Sequence, residues 1–176
     1  MNMMKKTLFI SIMNLFALLG WSQDSYWQQQ VEYEMDIEMD TKNYQFTGRQ
    51  AIRYTNHSPD TLHRAFYHLY FNAFQPSSMM DLRSRSLPDP DPRVRDRISK
   101  LKEEDYGYHR VLSLKQDGEN LNYVVEGTIL EVNLNHPIEP GSTSVLELEF
   151  ESQVPLQIRR SGKTNREGID LSMTQW

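Results

Sequence analysis

The sequence predicts an all-β fold, an antiparallel β-sandwich or open saddle carrying one short inserted helix. Three observations lead there. Apolar and polar residues alternate with period two, as where Val31, Tyr33, Met35, Ile37 and Met39 interleave with Glu32, Glu34, Asp36, Glu38 and Asp40. Short runs of this kind are separated by clusters of Asn, Asp, Pro and Gly, such as Asn56 to Asp60 and Pro137 to Gly141. The alternation breaks in a single long stretch, between Asn72 and Gly107.

The first strand pattern, with apolar residues on one face and acids on the other, is that of a half-buried strand. A solvated acid face also keeps a sheet edge from pairing with other chains. Thr41-Lys42-Asn43 makes the turn, and the run Tyr44 to Thr55 then places Tyr44, Phe46, Ile52 and Tyr54 on one side. Gly48, in mid-strand, marks a bulge or a close approach to the backbone. Leu62 to Phe71 is apolar on both faces, the pattern of a central strand covered on both sides. Prolines 88, 90 and 92 exclude a strand from the next stretch, because proline lacks the N–H donor. Asp91-Pro92 is a helix start, followed by Val94, Ile98 and Leu101 on one helical face, with Gly107 as the stop. Strands resume at His109 to Lys115 and at Leu121 to Val125, joined through Asp117-Gly118. Thr128 to Leu134 follows, then the Pro137 to Gly141 turn. In the last long strand Ser144, Leu146, Leu148 and Phe150 alternate with Val145, Glu147, Glu149 and Glu151, and it ends at Val154-Pro155.

The first 23 residues read differently. Lys5 and Lys6 precede an apolar run from Thr7 to Trp21, and Ser22-Gln23 leads to the first acid, Asp24. This is the pattern of a secretory signal peptide, residues 1–23, ahead of one domain over residues 24–176. The rival reading is a membrane anchor, but the apolar run is shorter than the roughly 20 residues a spanning helix needs, and Asn14 interrupts it. The expected location is therefore exported: periplasm, cell surface or medium. With no cysteine, disulfides and lipid attachment through cysteine are both excluded. Losing Lys5 and Lys6 with the leader leaves 17 basic against 24 acidic residues, a net −7, which argues against nucleic acid as a partner. A hydrophobic content of 38% suffices for a packed core.

Residue types that carry chemistry are present without the spacing that chemistry needs. None of the histidines 57, 63, 68, 109 and 136 is followed by Glu, and no two lie four apart, the spacing that puts two imidazoles on one metal. No G-x-S-x-G nucleophile elbow and no glycine-rich phosphate loop occurs. Asp36, Glu38 and Asp40 are spaced for one strand face, not for a carboxylate pair across a cleft. The densest basic cluster is Arg159, Arg160, Lys163 and Arg166, which can meet another domain, an acidic peptide or water.

Several local motifs, in order, resemble the N-terminal domain of the aminopeptidase N family of zinc metallopeptidases. They are Phe46-Thr47-Gly48; Asn56-His57-Ser58 before a strand; His68-Leu69-Tyr70-Phe71-Asn72; Leu134 to Gly141, similar to L-x-x-P-L-x-P-G with Ile138 for Leu; Val154-Pro155; and Thr174-Gln175 before an aromatic. The insert from Ser77 to Gly107 suits the exported bacterial branch of that family. The resemblance implies a non-catalytic domain that packs on the catalytic domain of the same polypeptide and lines part of a cleft for peptide substrate. It implies zinc for the full-length parent only. The family's H-E-x-x-H and its amine-gripping G-x-M-E-N loop have no counterpart here, so this chain alone is expected to bind no cofactor and to be inactive. Gln175 is the one residue the resemblance places on the wall of the first substrate pocket, where its amide can both donate and accept. The alternative is a self-standing exported β-sandwich module that binds protein or glycan.

Overall fold

The computed structural model describes residues 26–88 and 90–174, so the expected leader, Gln175 and Trp176 lie outside the described residues. Among the described residues the fold is antiparallel sheets with one helix and short 3-10 turns, and no closed barrel. Five strands form the larger sheet: β1 (Gln30–Asp40), β2 (Gln45–Thr55), β4 (Tyr108–Gln116), β5 (Glu119–Asn120) and β8 (Thr143–Gln153), in the order β1-β2-β8-β4-β5. Facing it is a three-stranded sheet of β3 (Leu62–His68), β7 (Ile129–Ile138) and β6 (Tyr123–Glu126), in the order β3-β7-β6. Two short strands, β9 (Gly162–Lys163) and β10 (Leu171–Ser172), pair with each other near the end of the chain.

The core lies between the two sheets. Period-two side chains of β2 and β8, including Phe46, Ile52, Leu146, Leu148 and Phe150, meet Leu130 and Val132 of β7. Phe46 stands edge-on to both Phe71 and Phe150 at 6.4 and 6.1 Å. Gly48 sits where an added Cβ would lie 2.5 Å from the Phe150 ring. It marks a close approach without a bulge, since the register on both flanks of β2 is unbroken there.

The motifs at the turns are structural. Asn56 is fully buried. Its amide donates to the carbonyls of Asp60 and Ile138 at 2.8 and 2.9 Å, and its Oδ1 accepts from the Ser58 N–H and hydroxyl at 3.0 and 2.7 Å. Its backbone carbonyl accepts from the Gly141 N–H at 2.7 Å. The N-x-S turn after β2 and the P-x-x-P-G turn before β8 are thus one knot, in which Gly141 adopts a φ of 77° that L side chains rarely take. Asn72 works likewise, accepting from the His109 N–H at 2.7 Å and donating to the Gly127 carbonyl at 3.0 Å.

Four sequence expectations are corrected. The helix, α1, is Met79–Ser86, not the segment after Pro92. Ser78 caps it by accepting from the Asp81 N–H at 3.2 Å, and the buried Asp81 carboxylate holds Arg85 in a two-pronged pair at 3.1 and 2.9 Å. Val94 and Ile98 are buried as expected of an apolar stripe, but Arg95 takes φ 41°, which a continuing right-handed helix excludes, so this stretch is turns and short 3-10 pieces. Second, β3 is an edge strand, with Phe66 exposed, rather than a central one. Third, the apolar middle of β1, from Tyr33 to Ile37, is exposed rather than half-buried: β1 is the edge of the larger sheet, and Tyr33 and Met35 line an open groove. Fourth, β7 runs on through Pro137 to Ile138 before turning.

Candidate functional site

Two concavities lie at the open side of the sandwich. The larger is a groove of about 540 Å³ between the inner faces of β1, β2 and β3, floored by Ile52, Leu134 and Leu146 and walled by Tyr33, Met35 and Tyr67. Burial pushes the Tyr67 phenol above its ordinary pKa, as does the nearby Tyr33, and Tyr54 shifts the same way for the same two reasons. These hydroxyls therefore stay protonated at neutral pH.

The smaller cavity, of about 380 Å³, shares His68 and Tyr70 with the groove. Those rings stack at 5.3 Å, 11° from parallel, and form one wall. Ala73, Phe74 and Met80 make the floor, and Arg159, Arg160 and Ser161 the opposite rim. Thr174, the last described residue, meets Ser161 with its hydroxyl 3.1 Å from the serine's. This corner of aromatic wall, apolar floor and basic rim can hold an apolar side chain beside a carboxylate or peptide carbonyl. Gln175 itself lies outside the described residues.

The basic cluster is only partly directed there. Arg159 sits 3.7 Å from Asp91, whose carboxyl is held down at about 2 chiefly by hydrogen bonds from Arg93. Lys163 turns inward, bonding the Glu104 carbonyl, with Asp105 at 3.4 Å and the Tyr44 ring at 5.3 Å. Arg166 is exposed in the loop between β9 and β10. The sequence marks Lys163 as a surface cation, and only the fold shows it as an interior pin.

The histidines do not converge. His57, His63, His68 and His136 are exposed, and His136 sits 3.3 Å from Glu119. His109 is the exception in environment: its Nδ1 meets the Ser152 hydroxyl at 2.7 Å and its ring stacks on Phe71 at 4.7 Å. Burial lowers its pKa to about 4. A Ser–His contact has the outline of a nucleophile and base, but Ser152 is sealed within the core, where substrate does not reach. Among the described residues no group of three or more His, Cys, Asp or Glu is placed to hold a metal ion. The described residues thus do not fit a zinc site.

No protein-family model matches the sequence, and no curated protein matches it. Its fold does match solved structures. A two-domain M1 zinc metallopeptidase bound to L-tryptophan superposes with TM-score 0.50 at 17% identity, over 84% of this chain and 27% of that one. One bound to L-arginine gives 0.51 at the same identity, over 84% and 26%. An M1 zinc metallopeptidase from Deinococcus radiodurans bound to a Tyr-Ser-Ala substrate gives the same values. All three are mutant forms, and this chain spans about a quarter of the length of each.

Proposed function

We propose that this chain is the N-terminal, non-catalytic β-domain of an exported zinc aminopeptidase-like enzyme. In that role it packs on the catalytic domain of the same polypeptide and lines one side of the cleft for peptide substrate. The observation that carries the reading is the superposition of most of this chain on about a quarter of the M1 metallopeptidase chains. The corner of His68, Tyr70, Arg160 and Ser161 beside Thr174 supports it, since a domain that lines a peptide cleft needs a concave wall that binds and has no need to react. Zinc and the proton-transfer groups belong, on this reading, to the rest of the polypeptide. This domain's part is to shape the cleft and exclude water from one side of it. Gln175 follows Thr174 directly and would offer its amide to the peptide at that wall. The leader pattern of residues 1–23 is what supports export.

The gene itself tests this. Reading beyond the codon for Trp176, in any frame, is expected to reveal further strands, a G-x-M-E-like loop and H-E-x-x-H. Joining that segment to this chain should give chelator-sensitive hydrolysis of an aminoacyl reporter, and the mature protein should begin near Asp24 by N-terminal sequencing. A reading frame with no such continuation removes the peptidase reading and leaves the self-standing binding module.

A further inference from the structure

The helix α1 is amphipathic in reverse. Its inward side is fixed by the fully buried Asp81, which accepts from the Ser77 N–H at 2.9 Å and holds Arg85. Met80, on the same side, packs against the cluster of Phe74, Val94 and Ile98. At 3.6 residues per turn the opposite side carries Met79, Leu82, Arg83 and Ser86, at i, i+3, i+4 and i+7. A surface helix normally turns its apolar stripe to the core. Here Met79 is 78% exposed and Leu82 48%, and Leu87, just past the helix end, is exposed as well. None of the three lines the groove or the smaller cavity. They form an outward apolar surface that the fold of the described residues leaves without a partner.

Charge selects the partner. Residues 79–102 hold seven Lys and Arg against four Asp, a net +3, in a chain whose formal charge is −5, so the remainder carries −8. Three of those acids are already taken: Asp81 by Arg85, Asp91 by Arg93 and Asp96 by Lys100. Arg83, on the outward stripe, and Arg95 are exposed and in no ion pair among the described residues. An anionic plane attracts this side of the molecule and repels the rest, which orients the chain as well as holding it. A second copy docking α1 on α1 would instead bring two basic segments together. A short apolar stripe flanked by arginines is the form of a helix that lies in a lipid interface.

We propose that α1, with Leu87, docks on an anionic lipid surface. Met79, Leu82 and Leu87 enter the headgroup layer, and Arg83 meets lipid phosphates. The basic segment that follows supplies long-range attraction. Because few apolar side chains take part, the contact is reversible and sensitive to salt. It does not depend on the peptidase reading and uses none of the residues assigned there to the cleft.

The test is sedimentation with vesicles of phosphatidylcholine, alone or with about a third phosphatidylglycerol. The chain is prepared from Asp24, which removes residues 1–23, whose apolar run would bind lipid by itself, and keeps every described residue. Binding is expected only with phosphatidylglycerol and is lost at about 0.5 M salt. Met79→Glu with Leu82→Gln should weaken it at least about tenfold, and Arg83→Gln about fivefold. Leu82→Trp should strengthen it, which keeps the test open if the paired variant fails to fold by circular dichroism. Met35→Gln, in the groove, should change nothing. Equal binding to both vesicle types, or binding to neither, overturns the proposal. Binding that Met35→Gln removes places the lipid in the groove and overturns it as well. Binding that falls with Arg83→Gln while Met79→Glu with Leu82→Gln and Leu82→Trp leave it unchanged also overturns it, since any polyanion, an acidic protein included, then serves. Dimerisation without vesicles that the Met79 and Leu82 changes abolish would assign the stripe to a second copy and overturn it too.

Discussion

β1 and β8 are strands of the same sheet, each of 11 residues, and each alternates apolar side chains with acids. Their fates differ. In β8 Leu146, Leu148 and Phe150 are 3%, 7% and 7% exposed, whereas in β1 Tyr33, Met35 and Ile37 are 62%, 38% and 43% exposed. The pattern along a strand tells which side chains share a face. What lies opposite that face decides whether they are buried. β8 is flanked by β2 and β4 and covered by β7, while β1 is an edge strand whose Tyr33 and Met35 line an open groove.

The largest expected effect cuts at this contrast. Phe150→Ala should cost about 4 kcal/mol in urea unfolding, because an aromatic removed from a closed core leaves a cavity. Met35→Ala, on the open side, should cost less than about 1 kcal/mol. Similar losses at the two positions would mean that the open side is covered in solution.

The next effect is pH-dependent and belongs to the closed side alone. His109 has its pKa lowered by burial to about 4, against 6.5 when unfolded. The unfolded chain therefore takes up the proton first. Stability is full above pH 6.5 and falls as the pH drops toward 4, by roughly 3 kcal/mol across that window. Comparing the native chain with His109→Gln at several pH values isolates this share from the carboxylates. A difference that stays flat between pH 7 and 4 would show that the ring is solvated, and with it the seam between β4 and β8.

The smallest effect sharpens the comparison within β2, which touches both strands. Gly48→Ala should cost about 2 kcal/mol, since its Cβ meets the Phe150 ring. Phe150→Leu in the same chain should reduce that cost, as a neighbour that shares the space. Equal costs in the two backgrounds would place Gly48's role in the backbone instead.

Much of this fold was legible because local signals and tertiary placement agree. The turns at Asn56 and Gly141 are read from residue chemistry that acts at short range, and they form as that chemistry dictates. The helix was misplaced because two starts compete. Asp91-Pro92 does start a turn, with Asp91 Oδ1 accepting from the Arg93 N–H at 2.9 Å, but the positive φ of Arg95 ends it, whereas the turn capped by Ser78 continues to Ser86. The stripe of Val94 and Ile98 does report burial, which does not require a helix. The run over β3 is apolar on both faces, a pattern that predicts a central strand but that an edge strand can also carry. The candidate site was less legible. Arg159, Arg160 and Ser161 meet His68 and Tyr70 only through the fold, across some ninety residues that carry no motif for the pairing.

The Asn56 knot also bears on how the molecule assembles in time. One side chain bonds across 82 positions of sequence, from the end of β2 to the end of β7. Closing that span is entropically costly and is repaid only when both turns and both sheets are in place. The two layers of the sandwich therefore do not accumulate one by one. They are expected to condense in a single cooperative step, with rate governed by that long closure and little affected by the edge of β1.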